Sequence, residues 1–91
     1  MNNTKKVTVE IPKFTKESGF NFDWKGDFKI FVKNENDEIS IQANKDGLIS
    51  LAGHLLNLAQ EDVPTPYHLH FDDMNSLEEG SLALIIEKKN N

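Results

Sequence analysis

The amino-acid sequence predicts an α+β domain of two layers, one main helix packed on a mostly antiparallel sheet of about five strands, and three observations carry that reading. Apolar and polar residues alternate along several short segments. One longer segment changes to helical spacing, and clusters of turn-forming residues separate the two kinds of pattern.

Taken in order, residues 6–11 alternate, with Val7, Val9 and Ile11 on one side and Lys6, Thr8 and Glu10 on the other, before Pro12 ends the pairing. A first strand is expected there. Residues 14–26 hold Phe14, Phe20, Phe22 and Trp24, and read either as an extra strand or as an ordered aromatic loop. Gly26-Asp27 is a turn signal. Residues 28–33 make the next strand with Phe28, Ile30 and Val32 inward; a turn at 34–37 leads into 38–43, where Ile39, Ile41 and Ala43 keep the period. From 45 to about 61 the spacing is helical, and Leu48, Leu51, Ala52, Leu55, Leu58 and Ala59, broadened by Ile49 and Leu56, form the stripe expected to lie over the sheet. His54 then falls on the flank of the helix. Asn44 suits the N-cap and Asp46 the positive end of the helix dipole. After Pro64 and Pro66, residues 67–72 form a strand, 73–80 a connection, and 82–87 a final strand that is apolar on both faces and so expected to be central.

The length fits one domain over 1–91, with an ordered core over about 5–88 and a disordered tail at 88–91. Cysteine is absent, which excludes disulfides, thiolate metal sites and a cysteine nucleophile. No apolar run reaches membrane-spanning length and the amino terminus lacks a signal-like stretch, so a cytoplasmic protein with no membrane partner is expected. Charge is divided along the chain: through Lys33 it sums to +3, over 34–87 to −10, and in total to −5. Arginine is missing, which argues against nucleic acid as a partner, while the acidic part favours a basic one.

The chemistry-bearing residues concentrate in 67–72, where alternation sets His68, His70 and Asp72 on one side and Tyr67, Leu69 and Phe71 on the other. If the second set lies beneath the helix, the first stands on the uncovered sheet face, beside some of Thr8, Glu10, Lys29, Phe31, Lys33, Ser40 and Gln42. A His-x-His pair on a strand can converge on one zinc ion, with Asp72 as a further ligand or support, which makes a small metal-binding domain the alternative function. No cofactor motif is present, and no nucleophile accompanies the histidines, so an enzyme is not expected. Adjacent acids, Asp72-Asp73 and Glu78-Glu79, fit a partner surface better than acid–base chemistry. The aromatic residues of 14–31 suit core and lid packing better than a base-stacking platform, given the acidity of the chain. A homodimer through the apolar remainder of the sheet also fits.

Asn44, Gly47-Leu48, Leu51-Ala52, Leu55, Leu58-Ala59, the prolines before Tyr67, His68-x-His70-x-Asp72, Leu77, Gly80-Ser81 and Leu84-Ile85-Ile86, in that order and spacing, resemble a bacterial immunity-protein family, number thirty-two of its series, associated with polymorphic toxin systems. The resemblance covers about 38–87. It implies a small α+β protein with no chemistry of its own that binds and neutralises a cognate toxin domain. Carried over to this chain, it singles out His68, His70 and Asp72, to which the charge map adds Asp73, Glu78 and Glu79 as candidate partner-binding residues.

Overall fold

In a computed structural model, residues 3–90 are described and form β1 (Ile30–Glu35), β2 (Glu38–Ala43), α1 (Lys45–Leu58), β3 (His68–Phe71) and β4 (Leu84–Glu87). β1 and β2 are a tight antiparallel hairpin in which Ile30 faces Ala43 and Glu35 faces Glu38. Its two-residue turn, Asn36 (φ 55°) and Asp37 (φ 64°), is left-handed at both positions, the geometry whose twist matches that of the strands it joins. β3 and β4 pair antiparallel with His68 opposite Glu87 and Phe71 opposite Leu84.

The described strands therefore number four, in two sheets of two, where about five in one sheet were expected. Residues 6–11 are not a strand, and Val7 is 73% exposed. The edge of β1 away from β2 is already occupied: Glu78 N–H donates to Ile30 O (2.9 Å), Leu82 N–H to Val32 O (2.8 Å), and Ser81 Oγ accepts Val32 N–H (3.1 Å). Segment 78–82 thus ties one hairpin to the other. Of the two readings of 14–26, the structure takes the loop, with a single bridge between Thr15 and Gly19.

α1 turns most of its expected stripe outward, keeping Leu58 buried and Leu51 half-buried. Its buried residues are Gly47, Ser50, His54, Asn57 and Leu58, whereas Leu48, Ile49, Leu55 and Leu56 face outward. The reason lies in the irregular chain that precedes β1. Extended backbone over 12–29 carries N–H and C=O groups that no ladder satisfies, and buried polar groups must find partners. The inner face of the helix supplies them. Ser50 Oγ accepts Lys25 N–H (2.7 Å), Asn57 Nδ2 donates to Asn21 O (2.7 Å), and Gln60 accepts Phe14 N–H (3.1 Å) while donating to Pro12 O (2.9 Å). Asn44 acts twice, capping Gly47 N–H (2.7 Å) and bonding both Lys29 N–H (3.0 Å) and Asp27 O (2.8 Å).

Held there, the aromatic segment packs as ring on ring. Trp24 stacks on Phe28 (centroids 4.2 Å) and meets His54 edge-on (4.3 Å); Phe22 and Trp24 both lie 5.8 Å from Phe71 of β3. His54 is therefore in the core at 1% exposure, and its expected place on the flank of the helix is overturned. Ile30, Val32, Leu58, Val63, Leu69, Phe71, Leu77 and Phe14 complete the buried apolar set. At the carboxy end Lys88 donates its backbone N–H to Tyr67 O (2.8 Å) and its ammonium to Gln60 O and Val63 O, just past the helix. The expected tail at 88–91 lies partly on Asn91, outside the described residues.

Two helical glycines separate propensity from packing. A Cβ on Gly47 would stand 2.5 Å from Lys29 O and 3.0 Å from Ile30 Cγ1, while one on Gly53 meets nothing nearer than Val9 Cγ1 at 3.7 Å. In urea denaturation Gly53→Ala is expected to gain about 0.5–1 kcal/mol from helix propensity. Gly47→Ala is expected to lose about 1–2 kcal/mol despite the same gain, because backbone must shift to admit it.

Candidate partner-binding face

β3 positions the candidate residues by its pleat. Leu69 and Phe71 point into the core, so His68 and His70 stand on the outer face, as the alternation predicts. Across the register His68 lies beside Glu87 and His70 beside Ile85, which is 61% exposed. The outward side of the other hairpin carries Phe31 opposite Gln42 and Lys33 opposite Ser40.

The acidic residues divide into two kinds. Asp72 and Asp73 hold the loop that leaves β3: Asp72 Oδ1 accepts Met74 N–H (3.0 Å), its carbonyl accepts Asn75 and Leu77 N–H (each 3.0 Å), and Asp73 Oδ2 accepts Gly80 N–H (3.2 Å). Glu78 and Glu79 are exposed and make no such contact through their carboxylates among the described bonds. His70 Nε2 lies 3.7 Å from Asp72 Oδ2 with both side chains solvated, a pair formed when the imidazole is protonated and contributing at most about 1 kcal/mol. The loop and the strand face together make an acidic, imidazole-bearing surface with an exposed isoleucine in it.

No group of three or more His, Asp or Glu residues among those described is placed to hold a metal ion. The third histidine is the one spent in the core, where it cannot join His68 and His70. Nor is any described helix long and apolar enough to cross a membrane.

Among family models, one described as Immunity protein 32 matches residues 38–89, more than half of the chain, taking in β2, α1, β3 and β4. No curated protein and no solved structure gives a significant match.

His54 carries a pH dependence of its own. Its Nε2 is buried with no hydrogen-bond partner among the described residues, and burial pushes the imidazole below its ordinary 6.5 against a smaller upward pull from the Asp23 carboxylate. The neutral ring thus favours the folded state. That contribution is complete above the unfolded value of 6.5 and is lost progressively as pH falls from there through the folded value. Urea midpoints of the wild type should decline across this window, and His54→Leu, which keeps an apolar side chain in the cage, should flatten the decline. An equal slope in both proteins would refute the assignment.

Proposed function

The chain belongs to the immunity protein 32 family, and from that premise we propose that it binds a cognate toxin domain and neutralises it by stoichiometric contact, with no chemistry of its own. Family membership is the observation that carries the reading. The outer face of β3 and the loop at 72–80 supply the surface: His68 and His70 as donors or acceptors, Asp72 and Asp73 as a preset turn, Glu78 and Glu79 as free carboxylates. A surface built on a strand and a hydrogen-bonded loop changes little on binding, so little ordering entropy opposes the contact. The occupant is a basic polypeptide, drawn in by the −10 of residues 34–87. We place the encounter in the cytoplasm of the cell that makes the toxin. Metal binding through His68, His70 and Asp72 is not favoured, because no three His, Asp or Glu residues among those described come together to hold an ion.

A secreted protein with a toxin domain at its carboxy terminus is expected to be encoded immediately upstream, and that domain is the test ligand. Co-expression is expected to restore growth to cells producing that domain, and purified proteins should form a one-to-one complex. Its association rate should fall at least about tenfold between about 0.01 M and about 1 M salt, as the screening length contracts from roughly 30 Å to 3 Å. Glu78→Lys with Glu79→Lys, which leaves the turn bonds of Asp72 and Asp73 in place, should slow association by about tenfold at low salt. A complex insensitive to salt and to these changes removes the acidic loop from the proposed surface; absence of a complex and of growth rescue removes the function.

A further inference from the structure

The outward face of α1 is the largest feature that toxin capture leaves unexplained. Leu48 is 56% exposed, Leu56 51%, Leu55 45% and Ile49 36%, with Ala52 and Ala59 exposed between them. These side chains amount to roughly 300 Å² of contiguous apolar surface, the size of the largest patch on an ordinary monomer and usually functional. Among the described residues, the amino-terminal segment reaches only one margin of the stripe: Val9 approaches the helix at Gly53 and Thr8, Val9 and Glu10 border Ile49, on the opposite flank from Leu48 and Leu55.

The order of residues along this stripe points to its occupant. Ala52 is its centre, with Ile49 and Leu55 three residues away on either side and Leu48 and Leu56 four away. A stripe that reads alike in both directions is self-complementary under a two-fold axis. Two such helices crossing antiparallel at Ala52 set Leu48 against the Leu55 position and Ile49 against the Leu56 position, and the small central residue lets the axes approach to about 8 Å. Charge agrees with this pairing. Residues 47–60 contain no charged residue except His54, whose ring is buried, so a chain of net charge −5 can meet its copy here without repulsion. The ends differ in charge: Lys45 and Asp46 balance at the start, whereas Glu61 and Asp62 beyond the finish outweigh the Lys88 ammonium bound there. Antiparallel packing brings each Lys45 to the acidic end of the other helix, whereas parallel packing aligns like with like.

We propose that this face is a homodimer interface, two copies of the chain packing their α1 helices antiparallel about Ala52. The area is small beside the roughly 800 Å² per partner of a standard stable interface, so the dimer is a weak one, forming in the micromolar range. It leaves the outer face of β3 free and stands whether or not that face captures a toxin.

Sedimentation velocity on the full chain between about 1 µM and about 500 µM is expected to show monomer passing into dimer. Leu55→Glu, on an exposed position and in a good helix former, should weaken the dimer at least about a hundredfold with helical circular dichroism unchanged. The chain has no cysteine, so Ala52→Cys places its only thiol on the two-fold axis. On mild oxidation it should form a disulfide-linked dimer at least about tenfold faster than Met74→Cys, whose side chain is more exposed but off the stripe. Monomer throughout the range, a dimer indifferent to Leu55→Glu, or equal cross-linking at the two cysteines would each overturn the proposal. Loss of toxin binding in Leu55→Glu with a monomeric wild type would assign the stripe to the toxin instead and overturn self-association. Failure of the glutamate variant to fold leaves the paired cysteine experiment to decide.

Discussion

The fold depends on one task that the helix performs: satisfying the backbone of a long irregular segment. Residues 12–29 pair with no described strand, yet they carry Phe14 of the core and the rings of Phe20, Trp24 and Phe28 that pack against it. Ser50, Asn57 and Gln60, with Asn44 at the cap, donate to and accept from that backbone at distances of 2.7–3.1 Å. Each of these bonds adds only about 1 kcal/mol net, and for the half-buried ones made by Ser50, Asn57 and Gln60 an unpaired partner would cost up to about 1–3 kcal/mol, whereas the Asn44 bonds to Lys29 and Asp27 are solvent-exposed. The polar inner face therefore acts mainly by preventing a penalty. Once the segment is held, its aromatic side chains have nowhere to go but into the space between α1 and β3, and the apolar burial follows.

The same arrangement explains the outside of the molecule. Because most of the inner face of α1 is given to small and polar residues, Leu48, Leu55 and Leu56 are displaced to solvent, while Leu58 stays in the core. Because β3 turns Leu69 and Phe71 inward to meet the rings, its histidines are displaced outward too. Two chemically different surfaces result, one apolar and uncharged on the helix, the other polar and acidic on the strand and its loop. They suit different partners, which is why capture of a basic protein and self-association need not compete for the same residues.

Where local pattern and tertiary demand agree, the sequence was readable. The hairpin turn, the helix with its Asn44 cap, the strand after the prolines and the outward placement of His68 and His70 follow from alternation, spacing and turn chemistry, whereas the last strand, expected to be central over 82–87, is Leu84–Glu87 in a sheet of two. The stripe of α1 was misread because periodicity reports that a helix has two unlike faces and does not say which faces in. Here the signal that reverses the rule was present in Gly47, Ser50, His54 and Asn57, a line of small or hydrogen-bonding residues at helical spacing, but its meaning depends on an unpaired segment more than twenty residues away. Residues 6–11 alternate as a strand should, yet they pair with no described strand; the edge of β1 is closed by segment 78–82. The acidic residues were legible as a cluster. That Asp72 and Asp73 hold a turn while Glu78 and Glu79 stand free depended on loop geometry that composition does not encode.

Trp24 is the only tryptophan in the chain, and it stands where the irregular segment, the helix and β3 converge, against Phe28, His54 and Phe71. Its indole emission is consequently a native optical gauge of whether those three parts are assembled. A protonated imidazole in contact with the ring quenches it, so the colour and yield of that light distinguish loosening of the cage from global unravelling, without any label attached to the molecule.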